Sequence, residues 1–310
     1  MRWRDVFAGG KRGDEIRRMS KKKPKPGTIM NLATTNVVTI PPTSTIMAAV
    51  KAMASYGFRR LPIADPGTKR LEGIMTATDI INFFGGGSKH RIVEERYGNN
   101  LLAAVNEEVR EIMERNVVSI EFTSSIEDGL ETILKVGVGG CPVVDKDDRV
   151  VGIVTERDYL EYLAEKRMGG AVAEYMTRGV ITVKPETSIE EAMRTMISRK
   201  IRRLPVIKDG VLVGLVTSST LIRFFSGEVF KSLITGDVKD VLQKPLSSLL
   251  TNGEVLEYRE PLSFPPDADM SEVARRMVET NYGAALIVSD GRLEGILTER
   301  DIVKFLYARK

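Results

Sequence analysis

Two hydrophobic periods alternate along this chain. Short β-branched runs, VVTI (37–40), VVSI (117–120) and VITV (180–183), read as strands, and PLSF (261–264) is a divergent fourth. Each leads into a stretch with helical spacing. In the third of these, Ile189, Met193, Met196 and Lys200 share one face, and the first three are apolar. Ser188-x-x-Glu191 and Asp269-x-x-Glu272 mark helix starts in the form of a capping box. An apolar strand such as RLPVI (203–207) follows, then a tight turn and a second strand. Asp209-Gly210 and Asp290-Gly291 predict two-residue hairpins, because both positions of such a turn need positive φ. A second helix, such as DIINFF (79–84), closes the unit, which is β-α-β-β-α.

The unit recurs. GIMTATDI (73–80), GIVTERDY (152–159), GLVTSSTL (214–221) and GILTERDI (295–302) share one frame, and the third copy lacks the aspartate. The opening glycines stand 79, 62 and 81 residues apart, and this long-short-long spacing describes a duplicated pair. RRLP returns on the same schedule, at 59–62 and 202–205. The predicted organisation is a basic tail (1–27), repeats at 28–85, 108–165, 170–226 and 245–310, and connectors at 86–107 and 227–244. Each connector lies inside a pair and is expected to bridge one repeat to its partner.

A unit of about 60 residues ending in Gly-Ile/Leu-aliphatic-Thr-x-x-Asp, present four times in register, resembles the CBS domain. The arrangement, with GGGSK (85–89) and NLLAAVNE (100–107), is similar to archaeal four-CBS proteins that resemble the gamma subunit of AMP-activated protein kinase. The resemblance implies an α/β (α+β) fold of four repeats in two pseudo-twofold CBS pairs. It also implies clefts within each pair that hold adenine nucleotides, with the motif aspartate on the ribose.

The residues fit that chemistry. Asp79, Asp158 and Asp301 can each accept from both hydroxyls of a ribose, in charge-assisted bonds. Each sits where a helix begins, and exposed backbone N–H groups there favour anions. A plain N-cap remains the alternative reading of each. Arg59, Arg60, Arg202 and Arg203 are candidate phosphate ligands, since a guanidinium is a planar, permanently charged fork. Their alternative is a solvated strand edge. Arg157 and Arg300 precede two of the aspartates and are further phosphate candidates, or exposed first-turn arginines.

Repeats 2 and 4 carry Gly139-Gly140 and Ala284-Ala285 where repeats 1 and 3 carry arginine pairs. The resemblance implies basic residues from the partner repeat, so Asp158 is matched with Arg59 and Arg60, and Asp301 with Arg202 and Arg203. Asp79 then faces glycines, and repeat 3 offers Thr220 in place of an aspartate. One well-equipped cleft per pair is expected. Motif threonines Thr76, Thr155, Thr217 and Thr298 and first-strand residues Val38, Val118 and Ile181 complete the expected contacts, Val118 against adenine or simply in the core.

Charge changes the picture only at one end. Residues 1–27 hold ten Lys/Arg against Asp5, Asp14 and Glu15, a surplus of seven, so a net charge of +4 leaves about −3 for the rest. The tail alone is a candidate for nucleic-acid contact, and a solvated extension is its alternative reading. One cysteine, Cys141, excludes an internal disulfide framework, and one histidine, His90, excludes a His-rich metal site. GGG at 85–87 lacks the Gly-Lys-Ser/Thr of a phosphate loop and reads as a connector. No apolar run reaches the length of a membrane span or a signal core. The expectation is a cytoplasmic, non-catalytic sensor of AMP, ADP or ATP without further cofactor, acting on a protein partner or as a homodimer. S-adenosylmethionine is the alternative ligand.

Overall fold

The computed structural model describes residues 25–166, 169–229, 232, 238–251 and 261–309. Most of the basic tail, residues 1–24, lies outside them. Repeat 1 runs through α1 (Ile46–Tyr56), β1 (Arg60–Ala64), β2 (Leu71–Thr76) and α2 (Ala77–Phe84). Repeat 2 adds a short leading strand: β3 (Ile120–Glu121), α3 (Ile126–Val136), β4 (Gly140–Val144), β5 (Val150–Thr155) and α4 (Glu156–Lys166). Repeat 3 has α5 (Ile189–Arg199), β6 (Arg203–Lys208), β7 (Val211–Thr217) and α6 (Ser218–Phe224). Repeat 4 has β8 (Ser263–Phe264), α7 (Met270–Glu279), β9 (Ala284–Ser289), β10 (Arg292–Thr298) and α8 (Glu299–Ala308).

The leading strands are shorter than the β-branched runs predict. Repeats 1 and 3 keep only single parallel bridges, Ile40 to Ile63 and Val183 to Val206. Pro41-Pro42, Pro185 and Pro265-Pro266 follow these runs, and proline cannot donate to a ladder. Val38 and Ile181 pack half-buried against one core and Val118 against the other. Both predicted hairpins form. Lys208 faces Val211 and Ser289 faces Arg292, with Asp209 at φ 51°, Gly210 at 80°, Asp290 at 49° and Gly291 at 76°. Lys200 leaves its helical face: it ends α5 as the left-handed cap, with φ 54°.

Helix starts are chemically specified. Ser188 accepts from the Glu191 N–H, and Asp269 accepts from Ser271 and Glu272, but the full reciprocal boxes stand elsewhere. Ser125 with Asp128 starts α3, and the motif threonines start three of the second helices: Thr76 with Asp79, Thr217 with Thr220, Thr298 with Asp301. Each connector folds back on the first helix of the preceding repeat. Glu107 O accepts from Ile46 N at 2.9 Å, and Lys244 O accepts from Ile189 N at 3.0 Å.

Two contacts organise the repeats. Bridges Thr34–Ile153 and Ile74–Glu114 join repeats 1 and 2 with near-twofold symmetry, and Thr177–Ile296 joins repeats 3 and 4. The cores run the other way. One apolar cluster combines repeats 1 and 3, with Phe84 stacked on Phe225 at 4.1 Å. The other combines repeats 2 and 4, where α4 packs on α7 and α8. Each pair is thus built by strands and docked to the other pair by helices. Burial of these clusters is the main stabilising term.

Candidate functional site

The register of the hairpins sets the site. Within each repeat the first residue of the middle strand lies opposite the motif threonine: Arg60 with Thr76, Gly140 with Thr155, Arg203 with Thr217, Ala284 with Thr298. The residues matching the arginine pairs in repeat 4 are therefore Gly283-Ala284, one place earlier than Ala284-Ala285. This end of every repeat, where the second helix starts, points to the junction of the four repeats.

There the six predicted arginines meet two carboxylates that the sequence reading passed over, Glu156 and Glu299. Both are the first helical residues of α4 and α8, and each is 1% exposed. Arg59 grips Glu299 with a two-pronged fork, Nη1 to Oε2 at 2.6 Å and Nη2 to Oε1 at 2.9 Å. Arg203 reaches the same carboxylate at 3.5 Å and donates to Gly283 O at 2.9 Å. Glu156 accepts from Arg300 Nε at 2.7 Å and from Arg202 Nη2 at 3.2 Å. Arg157 donates to Tyr282 O at 3.0 Å and to Met277 O and Val278 O at 3.3 Å each, at the carbonyl end of α7 where a cation is favoured. Arg60 has no ion-pair partner among the described residues.

The arginine pairs divide their labour differently from expectation. The second arginine of each pair stays with the partner repeat: Arg60 lies over Gly139 of repeat 2, and Arg203 over Gly283 of repeat 4. The first crosses to the other CBS pair, Arg59 to Glu299 and Arg202 to Glu156. The helix-to-helix docking of the pairs brings these residues together. Two separate arginine sets become one central cluster. The guanidiniums lie directly over these glycines: a Cβ on Gly139 would stand 1.7 Å from Arg60 Nη2 and one on Gly283 2.7 Å from Arg203 Nη2, so a side chain there would displace the arginine tips.

Six guanidiniums against three carboxylates, Glu156, Glu299 and the half-exposed Glu161 that pairs with Arg157, leave a surplus of three positive charges. Burial, then repulsion from Arg202 and Arg59, holds the Arg60 guanidinium down at about 9. Burial, with Arg59 and Arg202 opposing the attraction of Glu299, brings Arg203 down to about 10. Burial would raise the Glu299 carboxyl, but Arg59, Arg203 and Arg157 outweigh it and leave it at about 2. Glu156 is also held below the usual range, against burial, by Arg202, Arg300 and Arg60. A partly buried cluster with excess cations is stabilised by an anion.

The N-cap reading of the aspartates is not met as stated: the motif threonine is the N-cap where one is defined, and the aspartate stands three residues on and accepts back from it, closing the box. The Asp158 carboxylate accepts from Thr155 N and Oγ1 at 2.8 Å each, and Asp301 likewise from Thr298 at 2.9 and 2.7 Å. In each case one oxygen, Oδ2, takes both bonds. On Asp301 the other oxygen accepts from the half-exposed Lys304 at 3.0 Å. On Asp79 it accepts from Lys89 of GGGSK, whose ammonium also donates to Ile112 O. In repeat 3 the hydroxyls of Thr217 and Thr220 pair at 3.1 Å. Cys141 is fully buried, and burial pushes its thiol up to about 11, which fits a structural residue. His90 Nδ1 sits 2.6 Å from Phe83 O. Among the described residues no group of His, Cys, Asp and Glu could hold a metal, and no helix is long and apolar enough to cross a membrane.

The family profile described as CBS domain matches residues 29–86, 109–165, 172–227 and 254–308. Protein MJ1225 of Methanocaldococcus jannaschii is 34% identical over 272 residues, 87% of this chain and 95% of its own. Its crystal structure, described as that of a candidate archaeal homologue of g-AMPK, superposes with a TM-score of 0.82 over 90% of this chain and 99% of that one. A 33.4 kDa protein encoded in a ribosomal RNA operon of Thermofilum pendens is 30% identical, covering 85% of this chain and 86% of its own. A conserved protein from Pyrococcus horikoshii, 21% identical, shares the fold with a TM-score of 0.57 over 90% of this chain and 99% of that one.

Proposed function

Because this chain belongs to the CBS-domain family, with four such domains in two pairs, we propose that it is a non-catalytic regulatory protein whose ligands are AMP, ADP or ATP. The observation that carries the reading is the arginine centre. Four repeats direct six partly buried guanidiniums to one centre, and the three carboxylates paired with them, of which Glu156 and Glu299 are buried, leave the charge unbalanced. Phosphate groups supply the missing negative charge, and guanidinium forks match their oxygens. Asp158 and Asp301 stand in the first turn of α4 and α8, two residues beyond Glu156 and Glu299, where each accepts a ribose hydroxyl while still closing the box with its motif threonine. Val118 lies on the apolar wall expected to take the adenine of the Asp158 site.

Repeats 1 and 3 form the weaker sites in this reading. Asp79 is matched with Gly139 and Gly140 in place of an arginine pair, and Thr220 carries no charge. S-adenosylmethionine ranks lower, because its sulfonium adds a cation to a centre that has too many. A sensor acts on something, so a regulated protein partner or a second copy of this chain completes the proposal. The similarity to a candidate homologue of g-AMPK supports sensing of energy state.

Thermal unfolding tests the reading. A ligand that binds only the native state adds about 2.7 kcal/mol at a hundredfold excess over its Kd. AMP, ADP or ATP at millimolar concentration is expected to raise Tm well above the effect of adenosine. No shift with any of the three removes the proposal.

A further inference from the structure

Glu156 and Glu299 have a feature that helix capping does not explain. The boxes at these helix starts are closed by Thr155 with Asp158 and Thr298 with Asp301, yet a second acidic residue follows each motif threonine and is almost fully buried. Repeats 1 and 3 place the uncharged Ala77 and Ser218 at the same position. A lone carboxylate buried there would be strongly disfavoured. Both are held ionised by arginine, and the two-pronged fork of Arg59 on Glu299 is the geometry in which a guanidinium also takes two phosphate oxygens. Each glutamate, moreover, takes an arginine from the opposite CBS pair.

Resting on the reading that nucleotide phosphates enter this centre, we propose that Glu156 and Glu299 are specificity-determining residues. They are internal counter-anions that hold the arginine forks in the absence of ligand and yield them when phosphate arrives. They therefore set how much negative charge the centre accepts. Each added phosphate must take a fork from a glutamate or tolerate its repulsion, so the glutamates weigh most against the triphosphate and not at all against the uncharged nucleoside. They also make the cross-pair links Arg59–Glu299 and Arg202–Glu156 competitive with ligand, which couples phosphate binding to the docking of the two pairs.

Calorimetric titration of adenosine, AMP, ADP and ATP into the full chain and its Glu156→Gln and Glu299→Gln variants tests this. Glutamine keeps the shape and removes the charge. The expected result is tighter binding that grows with phosphate number, about threefold for AMP and about tenfold or more for ATP, with adenosine unchanged. Weaker binding of all nucleotides would overturn the proposal by showing that the glutamates only position the arginines, as would an equal change for adenosine. Should a glutamine variant not fold, Glu299→Asp keeps the charge on a shorter arm that withdraws from the Arg59 fork. It is expected to tighten ATP in the same direction by a smaller factor, and no change overturns the idea. A wild-type chain that binds no adenine nucleotide refutes the functional reading instead. Inorganic triphosphate then serves as the probe, and unaltered binding of it to the glutamine variants overturns the role of the glutamates.

Discussion

Glu299 shows how single side chains are set by the centre. Its carboxyl is held at about 2, below the ordinary carboxylate value near 4.3, so its ionised form is favoured by the fold. A depressed carboxylate contributes stability above its unfolded pKa, and that contribution is lost as pH falls toward the folded value. Stability is therefore expected to decline from about pH 4.5 to about pH 2, with Glu299 supplying a few kcal/mol of the loss. Denaturant unfolding at stepped pH measures this, and Glu299→Gln should flatten the slope by about one proton. A slope that is the same in the variant would mean that other carboxylates carry the acid limb. Little of this was legible in the sequence. A first-turn glutamate in Thr-Glu-Arg-Asp reads as a solvated residue, and only the meeting of four helix starts buries it. The arginine pairs were legible because they recur in register. Their partners were not, because the crossing of Arg59 and Arg202 to the other pair depends on docking that no local pattern encodes.

At the scale of elements, capping and ligand binding converge on the same helix starts and need to be separated. Ser125 and Asp128 begin α3 with a reciprocal box that has no place in the proposed site: Asp128 donates its N–H to Ser125 Oγ at 3.0 Å, and Ser125 Oγ donates to Asp128 at 2.7 Å. Asp158 stands in the first turn of α4, two residues beyond Glu156. Ser125→Ala is expected to lower stability by about 1 kcal/mol and leave nucleotide affinity unchanged. Asp158→Ala is expected to lower stability by a similar amount and also to remove one nucleotide per chain in calorimetry. Unchanged stoichiometry in Asp158→Ala would reduce the aspartate to a cap. The hairpins at Asp209-Gly210 and Asp290-Gly291 and the second helices follow directly from turn chemistry and spacing. The leading strands do not, since a β-branched run such as VVTI signals burial on a surface and Pro41-Pro42 ends its pairing after one bridge.

The whole molecule is held by two cores that each span both CBS pairs, so ligand site and docking interface are the same region. Phe225 is fully buried and stacks on Phe84 across repeats 1 and 3. Phe225→Ala should cost about 3–5 kcal/mol and broaden unfolding as the two pairs lose mutual support, with part of the loss recovered on adding nucleotide. A small loss without any ligand effect would mean that the pairs fold independently of the centre. The central claim is that phosphate groups are bound by arginines gathered from all four repeats. Calorimetry of AMP and of adenosine on the wild-type chain and on Arg60→Ala tests it most directly, because among the described residues Arg60 is the cluster's guanidinium without an ion-paired carboxylate. AMP is expected to bind the wild type more tightly than adenosine does, and to lose roughly tenfold or more in Arg60→Ala while adenosine changes little. Equal losses for AMP and adenosine, or AMP binding no tighter than adenosine to the wild type, would contradict it.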